Sequence, residues 1–188
     1  MNFLHRSLCS SSRWKTTVER YALPWTLEGL DIGDNVLEIG PGYGAATEVL
    51  QKSVQQLTCI EVDSGLAKRL QRRMRDENVK VICGDATAMT LEDESFDGAV
   101  CFTMLHHVAS AELQDRLLAE VYRVLRPNGV FAGTDSLDSR FFRLMHLFDN
   151  LVLVDPKAFP HRLRAVGFRD VQVDVNPYAL RFRAHKSA

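Results

Sequence analysis

Short apolar runs alternate with amphipathic stretches along most of this chain. Val36-Leu37-Glu38-Ile39 is a strand-like run that ends in glycines, and Ala45 to Ser53 follows as a helix. Leu57 to Val62 reads as a second strand. Asp63 and Ser64 can cap the next helix, where Leu66, Leu70 and Met74 recur every four residues on one face. Val79 to Cys83 and Phe96 to Phe102 are a third and a fourth strand. Ser110 caps a helix whose inner stripe carries Leu113, Leu117, Leu118, Val121, Val124 and Leu125. Pro127-Asn128-Gly129 turns the chain into a fifth strand, Val130 to Thr134. A helix over Lys157–Val166 stops at Gly167, a natural C-cap. Val171–Val175 and Ala179–Ala184 fit two closing strands.

Strands joined by helices of this length predict an α/β fold, a parallel, doubly wound sheet covered on both faces. Ligands of such sheets bind beyond the carboxyl ends of the strands. The residues that follow strands one to four are therefore the first candidates for a site. Two stretches stand outside the alternation: an N-terminal helix at about Trp14–Leu30, and Asp135–Asp155. The second carries Phe141, Phe142, Leu144, Met145, Leu147, Phe148 and Leu151 to Val154, apolar residues that would cover both faces of a helix. It reads as a lid over an apolar ligand, as a helix buried between the sheet and the N-terminal helix, or as a homodimer contact.

At 188 residues the chain suits a single domain. Its parts are a helical segment (1–30), a ligand-binding core (31–134), the variable lid-like segment (135–156) and a closing helix with strands (157–188). No run of about eighteen apolar residues is present, so no membrane-spanning helix is expected. The net charge of −1 lacks the basic excess of proteins that grip phosphate backbones, which argues against nucleic acid as a partner. His5, Arg6 and Ser10-Ser11-Ser12-Arg13 interrupt the apolar stretch that a secretory signal needs. Cys9, Cys59, Cys83 and Cys101 form no C-x-x-C pair, and three lie in apolar, strand-like runs. The expectation is a cytoplasmic protein with reduced, mostly buried thiols. The basic face of Lys68, Arg69, Arg72, Arg73 and Arg75 reads as solvated. His5, His146, His161 and His185 are scattered, and no metal-ligand spacing emerges, so no metal is expected.

The most informative stretch is Gly40-Pro41-Gly42-Tyr43-Gly44, between strand one and a helix. Three alternating glycines let backbone approach a ligand closely. The helix that follows offers free N–H groups. Gly40-x-Gly42-x-x-Ala45, with Glu61 downstream, also satisfies the loose dinucleotide fingerprint. Glu38 bears on the choice. A carboxylate about 4 Å from a pyrophosphate charge costs about 4 kcal/mol at an effective dielectric of about 20. The ammonium and sulfonium of S-adenosylmethionine would instead be attracted to it.

At the end of strand two, Glu61 can accept two ribose hydroxyls, whereas Asp63 is explained as a helix cap. At the end of strand three, Asp85 could accept from an adenine amino group and the Ala86 N–H could donate to a ring nitrogen. Beyond strand four, His106 and His107 stand at the mouth of the sheet, and a histidine that titrates near 6.5 can serve as a general base.

VLEIGPGYG, CIEVDSGLAKRL, VICGDATAMTLEDESFDGAVCFTMLHHV and EVYRVLRPNGVFAGTDS follow one another over about residues 35 to 136. In this order and spacing they resemble the class I S-adenosylmethionine-dependent methyltransferases. They are most similar to the small-molecule branch related to quinone-biosynthesis enzymes, the type 11 methyltransferase domain. The resemblance implies a Rossmann-like, seven-stranded sheet of order 3-2-1-4-5-7-6, mostly parallel with an antiparallel last strand. It implies that Glu38, Gly40, Pro41, Gly42 and Gly44 hold the methionine part, that Glu61 holds the ribose, and that Val62, Asp85 and Ala86 surround the adenine. Phe102 and Thr103 would lie beside the methyl group. The N/D-P-P-Y/F motif of the amino-methylating branches is absent, with CFTML in its place, and Asn176-Pro177-Tyr178 reads as a turn. The function expected is methyl transfer to a small, apolar acceptor, with His106 or His107 as base if a hydroxyl must lose its proton. An NAD(P)-dependent oxidoreductase and a non-catalytic cofactor-binding scaffold are the competing readings.

Overall fold

The computed structural model describes residues 3–74, 78–147 and 149–188; Arg75 and Phe148 of the sequence reading fall outside them, as do the side chains of His5 and Phe141. Seven strands form one sheet: β1 (Asn35–Ile39), β2 (Gln56–Glu61), β3 (Val79–Cys83), β4 (Phe96–Phe102), β5 (Leu125–Ser136), β6 (Arg169–Val175) and β7 (Ala179–His185). Their order is β3-β2-β1-β4-β5-β7-β6. The first five run parallel, and β7 pairs antiparallel with both β5 and β6. The fold is the mostly parallel, seven-stranded one that the resemblance implied.

Alternation along the strands builds two cores. Leu37, Ile39, Ala99, Cys101 and Phe131 face one side, where α6 (Ala111–Val124) and α8 (Phe159–Val166) cover them. Val36, Leu57, Cys59, Val100 and Ala132 face the other, under the N-terminal helices and α5 (Ser64–Arg73). A sheet buried on both faces needs near-continuous apolar strands, as β4 shows.

Local signals set the helix ends. Asp63 Oδ1 accepts the N–H groups of Gly65 and Leu66 at 2.8 and 3.0 Å, the Ser110 hydroxyl accepts from Leu113 at 3.2 Å, and Gly167 ends α8 at φ 117°. Asn128 takes φ 66° inside β5, so the turn at 127–129 survives as a kink in a longer strand. Asn176 Oδ1 accepts from Tyr178 and Ala179, a hairpin turn between β6 and β7.

Four expectations change. The N-terminal helix is segmented: α1 (Phe3–Cys9), α2 (Ser12–Thr17), a π-helical turn (Val18–Ala22) and α3 (Leu23–Leu27). The helix after β1 shrinks to α4 (Thr47–Leu50), because the glycine-rich turn runs on to Ala46. Cys83 is exposed, since β3 is the edge strand. The apolar segment is not one long helix: α7 is only Arg140–Met145, Leu151–Val154 runs outside any helix, and Leu144 and Leu147 face solvent while Val154 is buried. The mixed pattern arises because each stretch packs on a different neighbour. No helix among the described residues is long and apolar enough to cross a membrane.

Candidate active site

The carboxyl ends of β1 to β4 open into a cavity of about 660 Å³, within the roughly 300–1,000 Å³ usual for small-ligand sites. Gly40, Pro41, Gly42, Glu61, Val62, Asp85, Ala86, Phe102 and Thr103 line it, as do His106 and His107. Glu38 and Gly44 lie behind that wall and do not reach the cavity.

The glycine turn starts where Gly40 donates its N–H to the Ile60 carbonyl at 2.9 Å. Gly40 takes φ 63°, and a Cβ there would stand 3.0 Å from Met104 Cβ. Only glycine meets both demands without strain. Above Gly42 the space is open, which leaves this backbone accessible from the cavity. Gly44 has another task, since a side chain there would strike Leu70 and Arg73 of α5.

Glu61 closes the other side of the turn. One carboxylate oxygen accepts the Gly42 N–H at 2.9 Å and the other accepts the Asp63 N–H at 2.9 Å. A carboxylate has about four acceptor positions, so each oxygen keeps one lone pair for a ligand. The Gly42 amide, the donor a pyrophosphate would seek, therefore already faces an acidic group. Glu38 sits beneath the turn, where it accepts from the Thr47 hydroxyl at 2.6 Å and lies 3.5 Å from Cys59 Sγ. Burial pushes its carboxyl up to about 7 against the opposing pull of those bonds. Arg73 donates to the Tyr43 carbonyl and lies 3.3 Å from Glu48, and Arg69 sits over the Tyr43 ring. Part of the basic face of α5 thus braces the turn rather than only meeting water.

Asp85 uses one oxygen to accept the Thr87 N–H at 2.8 Å, a local turn that fixes the end of β3. Val62 is 72% exposed at the cavity rim, an apolar surface beside two acids. Thr103 takes φ 52°, a conformation costly for a β-branched residue. Its N–H bonds to the Thr134 carbonyl at 2.8 Å, which ties the exit of β4 to β5. Burial pushes the Cys9 thiol at the rim up to about 11, so it is not a nucleophile near neutral pH.

The far end of the cavity is built from histidines. His106 and His107 occupy a single 3₁₀ turn, Leu105–His107, after β4. His106 Nδ1 lies 2.5 Å from Asp135 Oδ1, and Asp135 Oδ2 accepts the His106 backbone N–H at 3.0 Å. Both residues are buried. A carboxylate only accepts, so Nδ1 carries a proton, and in the neutral ring Nε2 holds the lone pair. His106 Nε2 is enclosed and makes no hydrogen bond to the protein. His146, just past α7, joins this group, with its Nδ1 2.9 Å from the Phe142 carbonyl. Burial holds His146 below the ordinary histidine range. One ring nitrogen from each of His106, His107 and His146 lies within 4.8 Å of the others. Phe142 packs edge-on against His106, with ring centroids 5.0 Å apart.

Sequence reasoning missed Asp135, His146 and Phe142. Asp135 had a signal, because it follows Thr134, the residue that pairs with the last residue of β4. The other two belong to the variable segment, where no motif marks them.

Comparison with known proteins bears on the family and the fold. The chain is 34% identical over 105 residues to phthiotriol/phenolphthiotriol dimycocerosates methyltransferase 1 of Mycobacterium ulcerans, a match covering 55% of this chain and 38% of that one. It is 35% identical over 66 residues to ribosomal RNA small subunit methyltransferase A of Fusobacterium nucleatum, covering 35% and 25%. It therefore spans well under half the length of these curated relatives. A crystal structure of a SAM-dependent methyltransferase from Aquifex aeolicus superposes with a TM-score of 0.78 at 18% identity, over 98% of each chain. At that identity the likeness speaks for the fold, a class I methyltransferase fold. A methyltransferase-domain model matches residues 37–133, more than half of the sequence and the carboxyl ends of β1 to β4, and the chain belongs to that family.

Proposed function

We propose that this protein transfers the methyl group of S-adenosylmethionine to a small, largely apolar acceptor. The observation that carries the reading is the bond from the Gly42 N–H to Glu61. It makes the turn end of the cavity anionic, which suits a ligand bearing an ammonium and a sulfonium and repels a pyrophosphate by about 4 kcal/mol at an assumed distance of about 4 Å. That weighs against the NAD(P) reading. In this placement Gly40, Pro41 and Gly42 take the methionine part, the spare lone pairs of Glu61 take the ribose hydroxyls, and Val62, Asp85 and Ala86 take the adenine. Phe102 and Thr103 then flank the methyl group. Glu38 and Gly44 act through the turn, which they hold in shape from behind.

The acceptor lies between the methyl group and the histidine end, among Met104, Leu113, Phe142 and Met145. Methyl transfer forms one bond from the acceptor atom to carbon and breaks the sulfur–carbon bond, whose electron pair returns to sulfur. Holding the two in line contributes about 7–11 kcal/mol. A hydroxyl acceptor must also lose its proton, and His106 and His107 are the groups placed to polarise it. The Mycobacterium ulcerans relative carries a triol derivative in its name, which supports an apolar, hydroxylated acceptor.

Calorimetric titration with S-adenosylhomocysteine, with NAD in parallel, tests the reading. Micromolar binding of the first alone is expected. Binding of NAD alone would overturn it. Binding of S-adenosylhomocysteine without turnover across a panel of apolar hydroxylated compounds would favour a scaffold that holds the cofactor without catalysis.

A further inference from the structure

We propose that His106, His107 and His146 form a binding site for one divalent transition-metal cation of the zinc class, at the acceptor end of the cavity. One ring nitrogen from each lies within 4.8 Å of the other two. A tetrahedral ion with bonds of about 2.0–2.1 Å needs nitrogens about 3.4 Å apart. Small rotations of the rings therefore close the site.

Two of the rings carry the anchoring that a metal site requires. A ligating histidine almost always donates its second nitrogen to a carboxylate or a backbone carbonyl, which fixes the tautomer and aims the lone pair. His106 Nδ1 is held by Asp135 Oδ1 at 2.5 Å. His146 Nδ1 is held by the Phe142 carbonyl at 2.9 Å. Two of the three rings thus have the anchoring of ligands, one on each type of acceptor. His106 Nε2 is enclosed and makes no hydrogen bond to the protein, an arrangement that is costly unless something occupies it.

Charge points the same way. Asp135 is fully buried. A dication on neutral imidazoles would balance its charge. Imidazole nitrogens select zinc, copper, nickel or iron over magnesium or calcium, which prefer oxygen. Three protein ligands leave a fourth position, and the site opens onto the cavity. There the ion would polarise an acceptor oxygen and lower the pKa of a hydroxyl. That role rests on the methyltransferase reading. The site itself does not, and His106 and His107 would then act on the acceptor through the ion.

The test uses the full chain, stripped with chelator and dialysed against Zn²⁺, with Mg²⁺ as control. Bound metal is read by elemental analysis, and S-adenosylhomocysteine titration is run on the same samples. One zinc per chain and no magnesium are expected. H107Q and H146Q should each weaken zinc binding by about 100-fold or more, and D135N by about 10–100-fold. H161Q, outside the cluster, should retain it. The wild-type chain loaded with Co²⁺ gives a second readout that needs no variant. A tetrahedral nitrogen-ligand spectrum supports the site, and an intense thiolate-to-cobalt band would place the ion on cysteine and overturn it. Absence of stoichiometric zinc, or zinc binding unchanged in both H107Q and H146Q, also overturns it. If zinc fails while S-adenosylhomocysteine binds, only the cation site is lost. If zinc binds and S-adenosylhomocysteine does not, the site stands and the methyltransferase reading falls.

Discussion

Replacing Glu61 by Gln changes a charged acceptor into a neutral one without changing its size. Hydrogen bonds to a charged group contribute roughly 1.5–3 kcal/mol each, against roughly 0.5–1.5 for neutral pairs. Two ribose hydroxyls on the spare lone pairs of Glu61 would therefore lose about 2–3 kcal/mol together. At about 1.4 kcal/mol per decade, that is a 30- to 140-fold rise in the Kd for S-adenosylhomocysteine. The variant has a second effect. Glu61 accepts from both Gly42 and Asp63, and the glutamine amide turns its NH₂ toward one of those donors. The glycine turn should loosen, so the Tm is measured beside the Kd. D63N is the matched control: Asp63 caps α5 and asparagine caps about as well. Its Kd should stay within about threefold of the parent. A folded E61Q protein whose Kd also stays within about threefold would remove Glu61 from the cofactor site and refute the reasoning.

Glu38→Gln tests the buried carboxyl. With its folded value raised from 4.5 to about 7, the proton is held in both states below about pH 4.5. Between there and about pH 7 the unfolded chain gives it up while the folded chain retains it, so stability falls as pH rises, by about 3 kcal/mol. The difference in unfolding free energy between the parent and E38Q should track that slope, and a pH-independent difference counts against it. Gly40→Ala forces a side chain toward Met104 at a positive φ; urea unfolding should show a loss of about 1–3 kcal/mol, and S-adenosylhomocysteine binding should weaken with it. Phe142→Ala should raise the KM for the acceptor at least several-fold and leave the Kd for S-adenosylhomocysteine unchanged, and equal effects on both ligands would contradict the two-ended cavity.

The parts of the site that could be read from the sequence are those whose chemistry is local. Three alternating glycines, an acid at the end of β2, and Asp63 or Ser110 before an amphipathic run are all explained by neighbours a few residues away. The parts that could not be read depend on which element covers which. The basic face of α5 looked solvated because nothing local shows that the turn at Tyr43 packs against Arg69 and Arg73. Residues 141–154 looked like a helix apolar on both faces because a count of apolar residues cannot show that the chain leaves the helix after Met145. The pairing of His106 with Asp135 lies between these cases. The two are 29 residues apart, yet the parallel register sets Phe102 opposite Thr134. The chain that leaves β4 must therefore pass the end of β5, where Asp135 is the next residue. Fold class and register together place this carboxylate beside that histidine turn. His146 obeys no such rule, because it returns to the cavity from a segment outside the sheet. The cluster of three imidazoles is thus visible only once that segment is folded over the strand ends.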